Sequence, residues 1–400
     1  VIDDLADRNH QCEILLDQTF GRDKDDYFPF TTKNCDFLLG ARYALLRSEF
    51  SRWREYSLRR RGRSQFKQLL ITMGGVDVDN VTEKILDELK ISILPLNINI
   101  VVLMGESAPH LKAVKSKATS LPYKTEVRVD VNNIAEIMAN TDIAIGASGA
   151  TTWERCCLGL PTIQIVTARN QFFLSDALAR HNIVKLVKSV KEITFLLEES
   201  SKWMDNIGYL ASEICDGLGS YRVFNKMTNF KAILEDFGEI ELCNYVNLNE
   251  DDKTLVLNMR NHPEIKKWML NQDSISSLTH FEFIKSLESI IDQRYFLVKQ
   301  KNIIIGSINF SEINFHNSVE FGIYTNPFLK LRGSGRLLEA VVSQYAFIKL
   351  NVNKIKLEVF SSNERAINFY NKCGFEFIDT KKTIHQEIMR MEKKLALQEL

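Results

Sequence analysis

The sequence has no charge of one sign in excess: 51 Lys and Arg residues balance 51 Asp and Glu over 400 residues. No global field therefore draws the chain toward nucleic acid or an anionic membrane, and a charged ligand must be held by local groups. Long apolar runs are missing too. The most apolar stretches, "INIVVLMG" and "IIIGSINF", contain Asn or Gly and fall far short of the ~20 residues that span a bilayer, so no membrane segment is expected. The seven cysteines (Cys12, Cys35, Cys156, Cys157, Cys215, Cys243 and Cys373) are odd in number and lack paired metal-ligand spacing. With no signal peptide ahead of them, they predict a reducing, cytoplasmic setting and no metal. The chain opens "VIDDLADRNH" without Met, so a fragment is expected.

What the sequence does have is alternation. At about 150 residues per domain, its length predicts two or three domains. From about Gln68 to Val187, apolar runs ("LLITMGG", "INIVVLMG", "EVRV", "DIAIGA", "TIQIV") alternate with amphipathic stretches ("DNVTEKILDELK", "IAEIMAN", "TTWERCCLGL", "NQFFLSDALAR"). This rhythm predicts parallel βαβ units around a buried sheet. Such sheets bind ligands where strand C-termini meet helix N-termini, and several strands end there in glycine: Gly74-Gly75, Gly105 and Gly146. Residues 201–250 begin helical and finish acidic and turn-rich, which predicts a domain boundary near 235–253. Beyond it, "NHPEIKKWM" reads as helical, "RYFLVKQ", "NIIIGSINF" and "SVEFGIYTN" as consecutive strands, and "GSGRLLEAVVSQYAFIKL", "KIKLEVF" and "NERAINFYNKCGF" as helix, strand and helix. That order predicts a separate mixed α/β domain. The run "RWREYSLRRRGRSQFK" reads as a solvated linker helix, because Glu49 and Glu55 interrupt the charge.

"GASGATTWERCCLGLP", residues 146–161, reads as a strand end, a small-residue turn and a helix starting near Thr151. Ser148 or Thr151 can cap that helix, and its first free amides form an anion site strengthened by the dipole. Glu154, one turn in, would present a carboxylate to a pair of ribose hydroxyls. The stretch alone reads equally as a tight turn with a helix-start acid. The glycine turn at Gly74 and Gly75 and the polar "ARNQ" at the same sheet edge favour a site. Neighbouring helical residues diverge by ~100°, so Cys156 and Cys157 include at least one small core residue and do not form a thiol site. In the second half, Gly333 and Gly335 precede "RLLEAVV", where glycine-turn amides suit a pyrophosphate.

These strings carry two resemblances. "VIDDLADR", "LLGARYALLRSEF", "ITMGGVDVDNVTEKIL", "VVLMG", "IGASGATTWERCCLGLPTIQI" and "ARNQ" look like the UDP-sugar hydrolase of pseudaminic acid biosynthesis, over about residues 1–230. That family is similar to GT-B glycosyltransferases such as the GlcNAc transferase of peptidoglycan synthesis. The resemblance implies that Gly74, Gly75 and the Ser148, Gly149, Ala150, Thr151 turn face a diphosphate. It further implies that Glu154 holds the ribose and that Asn170 and Gln171 approach the sugar. The family's first lobe carries an early Gly-His segment whose histidine helps activate water, and it has no counterpart here, which implies impaired hydrolysis. Asp3 and Asp4 read either as a remnant of that lobe's sugar-facing edge or as an exposed helix-start pair.

The Gly-Ser-Gly turn, followed by "NERAINFYNKCGFE" with Asn363, Ala366, Tyr370 and Gly374, resembles the GNAT acetyltransferase superfamily over about residues 254–392. This implies acetyl-CoA as cosubstrate, held by Arg332, Gly333, Ser334, Gly335 and Asn363, with Tyr370 protonating the departing thiolate. Glu320 is the candidate base, ahead of His316 and Glu358. Lys330 departs from the Gln or Arg often found at the front of the pyrophosphate loop.

The expected fold class is α/β: a GT-B-like Rossmann nucleotide-binding lobe followed by a GNAT mixed α/β domain. Its expected divisions are a lobe remnant at 1–60, a UDP-sugar-binding lobe at 61–235, a linker at 236–253 and the acetyltransferase at 254–400. The expected function is a bifunctional nucleotide-sugar enzyme whose partners are a UDP-sugar and acetyl-CoA, with no nucleic acid, membrane or metal. The alternatives are a non-hydrolytic UDP-sugar-binding lobe fused to an acetyltransferase for another amine, or a fusion with both sites vestigial.

Overall fold

Runs such as "QLLIT" and "IAIGA" place apolar residues at successive positions, so strands built from them must be covered on both faces. A computed structural model describes residues 1–33, 35–61, 65–168, 171–227, 230–329, 331–382 and 386–395. The chain divides into two compact units, Val1–Val223 and Phe224–Leu400.

In the first unit β1 (Ile14–Asp17) and β2 (Asp36–Leu39) form a two-stranded parallel sheet, and α1 (Ser48–Arg61) follows. Next come β3 (Gln68–Thr72), α2 (Val81–Lys90), β4 (Asn99–Met104), α3 (Leu111–Ala118), β5 (Lys124–Val129) and α4 (Ile134–Ala139). They are followed by β6 (Ile143–Ala147), α5 (Thr151–Cys157), β7 (Thr162–Ile165), α6 (Phe172–Arg180) and β8 (Lys185–Val187). Helices α7 (Glu192–Glu198) and α8 (Met204–Ile214) complete the series, and α9 (Gly219–Met227) runs across the boundary into the second unit. The larger sheet is parallel throughout, in the order β5-β4-β3-β6-β7-β8. The chain winds outward from β3 to β5, then returns to lay β6 beside β3, so the topological switch lies between β3 and β6. Leu69, Ile71, Ile143 and Ile145 face one apolar layer with α2, while Leu70 and Ala144 face another with Phe50 of α1 and Cys156 and Cys157 of α5. Both of these cysteines are buried, and all seven in the chain are free.

The arginine-rich helix α1 is not a solvated linker. Arg54 donates to the carbonyls of Cys157, Cys215 and Ser212, and Arg61 to those of Leu158, Thr141 and Met138. Arg60 meets the Asp142 carboxylate at 2.5 Å. Burial pulls the Arg61 pKa down to about 9. Chain turns beneath the sheet leave carbonyls that need donors, and long guanidinium side chains reach them.

The second unit begins with β9 (Phe230–Leu234) and β10 (Gly238–Asn244), then α10 (Glu250–Asn261), α11 (Pro263–Lys266) and α12 (Ser277–Ser286). It continues through β11 (Arg294–Gln300), β12 (Ile303–Asn314), β13 (Ser318–Thr325), α13 (Ser334–Gln344), β14 (Lys354–Phe360), α14 (Glu364–Lys372), β15 (Glu376–Lys382) and β16 (Glu387–Lys394). The eight strands form one sheet, β15-β16-β14-β13-β12-β11-β10-β9, in which only β13 and β14 are parallel neighbours. The stretch read as a linker, 236–253, is therefore part of this unit: it carries β10 and the start of α10. Its acidic composition hides a period of two, with Ile240 and Leu242 buried while Glu239 and Glu241 point outward. Among the described residues no helix is long and apolar enough to cross a membrane.

Asp142 has no exposed surface, and besides Arg60 it accepts the amides of Lys67 and Gln68, each at 2.8 Å. Asp142→Ala strands a half-buried guanidinium and two amides, so urea denaturation should show the first unit destabilised by about 2–4 kcal/mol. An unchanged midpoint would show that the clamp carries no stability.

Candidate functional site

Pairing of Thr72 with Gly146 sets the turns after β3 and β6 side by side at the switch point. The Gly105 amide, at the end of β4, donates to the Gly75 carbonyl at 2.9 Å. Gly74, Gly75 and the 148–151 turn thus meet at one sheet edge. The capping expected of Ser148 or Thr151 does not occur. Ala150 is the N-cap and has no side-chain bond. The Ser148 hydroxyl instead accepts from Gln164 Nε2 at 3.1 Å and from the Ser175 hydroxyl at 2.9 Å, while Thr151 Oγ1 accepts from Arg155 Nη1 at 3.1 Å. Gln164 is wholly buried and needs partners, so it draws the Ser148 hydroxyl inward. Among the described residues, the amides of Gly149, Ala150 and Thr151 have no carbonyl partner. A Cβ on Gly149 would lie 3.9 Å from Gln171 Nε2, so Gln171 borders the same turn. Asn170 lies outside the described residues.

Glu154 is half-buried, and its Oε2 is enclosed without a hydrogen-bond partner. Burial raises its pKa above the ordinary carboxylate value; Arg47 and Arg155 counter the rise and Glu49 adds to it. Arg47 and Glu49 form an ion pair at 2.8 Å at the start of α1. Arg155 lies beneath the turn with 1% of its surface exposed, donating to the Ala147 carbonyl at 2.8 Å and the Thr152 hydroxyl at 3.2 Å. Burial lowers its pKa to about 10, so it stays charged at neutral pH. Arg47, Arg155, Gln164 and Ser175 escaped the sequence reading, although the string "LLGARYALLRSEF" contained Arg47. Asp3 does not begin a helix: its carboxylate accepts from the Ala6 amide and the Tyr27 hydroxyl, each at 2.9 Å.

In the second unit β13 and β14 pair only at Ser318 with Lys354, Val319 with Ile355 and Glu320 with Lys356, and then part. Beyond Glu320 the facing backbone edges have no strand partner, which leaves a wedge able to pair with an extended amide-bearing ligand. Tyr370 of α14 is buried at this point, its ring 6.0 Å from that of Phe321 and 5.6 Å from that of Phe375. Burial, with smaller contributions from Cys373 and Glu339, raises its pKa, so the phenol keeps its proton. Glu320 is half-buried on the opposite face of β13, because successive strand residues alternate. Burial, then Glu358 and Glu312, raise its pKa.

Gly333 is the N-cap of α13 with φ +90°, a conformation that any side chain would strain. Gly335 follows in the first turn, where a Cβ would sit 3.6 Å from the Phe369 ring. The Ser334 hydroxyl turns back to the Leu331 carbonyl at 2.8 Å, and Arg332 is exposed beside it. Asn363 uses its side-chain oxygen to cap α14 through the Ala366 amide at 3.2 Å. His316 lies in the β12–β13 hairpin, bonded to Asn351 at 3.1 Å. Lys330 lies outside the described residues. Among the described residues no group of three or more His, Cys, Asp or Glu is arranged to hold a metal ion.

Comparison with known proteins assigns a family to each half of the chain. The model of the glycosyltransferase family 28 C-terminal domain matches residues 68–207, and that of the acetyltransferase (GNAT) family matches residues 262–375. The acetyltransferase PseH of Campylobacter jejuni is 35% identical over 158 residues, covering 40% of this chain and 98% of PseH. The UDP-2,4-diacetamido-2,4,6-trideoxy-beta-L-altropyranose hydrolase of the same species is 28% identical over 171 residues, 43% of this chain and 58% of the hydrolase. Methanocaldococcus jannaschii protein MJ1062 is similar across both units, 25% identical over 376 residues, covering 92% of this chain and 74% of that protein. Through its second unit the chain belongs to the GNAT acetyltransferase family, and it joins that domain to a preceding domain of the glycosyltransferase family 28 C-terminal type.

Proposed function

We propose that the chain is a bifunctional nucleotide-sugar enzyme of pseudaminic acid biosynthesis. Its second unit transfers acetyl from acetyl-CoA to the amino group of a sugar nucleotide. Its first unit holds the UDP part of UDP-2,4-diacetamido-2,4,6-trideoxy-β-L-altropyranose, from which UDP is released. The observation that carries this reading is the occurrence, on one chain, of similarity to PseH and to the UDP-sugar hydrolase. N-acetylation yields the kind of acetamido sugar that the hydrolase's name describes, so the two steps follow one another chemically.

In the second unit the acceptor nitrogen attacks the thioester carbonyl, the C–S bond breaks, and Tyr370 gives its proton to the leaving sulfur. A phenol kept protonated by burial suits that task. The amine's proton passes to a base, a part given to Glu320, half-buried at the last β13–β14 pair, whose raised pKa favours proton uptake. Gly333 sets the loop conformation, and the amides of the Gly333–Gly335 turn take the pyrophosphate. In the first unit Glu154 takes the ribose hydroxyls and the Gly149–Thr151 amides take the diphosphate. Hydrolysis also needs a water to be activated and aimed. The histidines of this unit are engaged locally: His110 with the Val78 carbonyl at 3.1 Å, His181 with the Ala177 carbonyl at 2.9 Å, and His10 beside Asp3. This reading therefore has the first unit bind UDP and hydrolyse the sugar nucleotide slowly.

Gly335→Leu should raise the KM for acetyl-CoA about tenfold or more, equivalent to ~1.4 kcal/mol, in a folded protein. An unchanged KM removes the pyrophosphate assignment. Tyr370→Phe keeps the ring packing and loses the proton, so kcat should fall by roughly 10- to 10⁴-fold; wild-type turnover with chemistry rate-limiting refutes the role. Glu154→Ala should weaken UDP binding by about 1–3 kcal/mol in calorimetry, and UDP release from the sugar nucleotide should stay slow in the wild type. Because the ionised Glu154 is the binding form and its pKa is raised, UDP affinity should hold at neutral pH and fall on acidification before ordinary carboxylates titrate. Rapid hydrolase turnover, or UDP binding indifferent to Glu154, would count against this reading.

A further inference from the structure

We propose that Arg155 supplies, from beneath the β6–α5 turn, the fixed positive charge that a bound nucleotide diphosphate neutralises, making it a positioning and selectivity residue of the cradle. The inference rests on the reading that the first unit binds a UDP ligand. Among the described residues Arg155 heads the fully buried side chains by size, yet the acceptors it meets are neutral: the Ala147 carbonyl and the hydroxyls of Thr151 and Thr152. Its Nε has no partner. Arg60, Arg22 and Arg222 of this unit pair with Asp142, Asp17 and Asp216, and Arg54 and Arg61 donate to carbonyls at element ends away from the glycine edge. A guanidinium taken out of water without a bonded counter-ion is costly, and beneath the glycine edge a bound diphosphate would offset that charge.

The surroundings are shaped to admit it. A Cβ on Gly146 would stand 2.6 Å from Arg155 Nη1 and 2.9 Å from its Cζ, so the strand end accepts the guanidinium only because residue 146 is glycine. All three acceptors belong to residues on either side of the turn, so Arg155 brackets it and fixes its shape. Glu154, next in sequence, is not bonded to Arg155 and has its own unpartnered oxygen. The two opposite charges are thus held apart, one suited to hydroxyl groups and the other to phosphate charge, in surroundings of low dielectric where electrostatic attraction is strong.

The test measures UDP and uridine binding to the full chain by calorimetry, for wild type, Arg155→Met and Arg155→Lys, with thermal unfolding of each unliganded protein. Arg155→Met should cut UDP affinity about tenfold or more, leave uridine affinity within about twofold, and leave the unliganded Tm unchanged or raised. Arg155→Lys, which keeps the charge, should keep most of the preference for UDP over uridine. If wild type binds UDP and Arg155→Met preserves that preference, or weakens both ligands alike, the proposal fails while the UDP reading stands. Failure of wild type to bind UDP overturns both. Should Arg155→Met not fold, Arg155→Lys decides: a retained preference supports the charge role and a lost one overturns it.

Discussion

The first unit depends on the inward-turned arginines of α1. Arg54, Arg60 and Arg61 gather carbonyls and a carboxylate from residues as far apart in sequence as Met138 and Cys215. Those acceptors lie at element ends, where helices and strands leave oxygen atoms without an internal partner. Because Arg54 binds the carbonyl of Cys157, at the end of α5, the clamp also fixes the helix that carries Glu154. The same α1 begins beside Arg47 and Glu49, which set the electrostatic surroundings of that carboxylate. Stability and ligand geometry are therefore joined through one helix.

Both sites arise where a sheet stops pairing in its regular way. In the first unit, β3 and β6 send their chains to opposite sides, and the crevice between their loops follows from that reversal. In the second, two parallel strands part after three residue pairs and leave backbone unpartnered. Polar groups are concentrated at the first place and a buried phenol stands at the second, and the proposed ionic ligand and proposed proton transfer rest on that difference.

The parts legible in the sequence were those governed by local period and special backbone. The glycines closing β3, β4 and β6, and the helix carrying Tyr370, follow from runs a few residues long. Strands β9, β10, β15 and β16 were not legible as such, because "GEIELCN" is diluted by acids and "EFIDTKK" is exposed along nearly its whole length. Composition masked the alternation in one, and tertiary pairing alone sustains the other. The Ser148 hydroxyl was misjudged for a different reason: its direction is set by Gln164 and Ser175, whose proximity exists only in the fold. Arg155 likewise shows nothing in sequence to separate it from a surface helix arginine.

The short joint between β13 and β14 also bears on motion. The strands β9–β13 and the strands β14–β16 meet within the sheet through only three residue pairs. Opening that seam breaks fewer hydrogen bonds than parting β12 from β11 or β13, so local breathing should concentrate there. Amide protons along the seam should exchange with solvent ahead of those in β11 and β12.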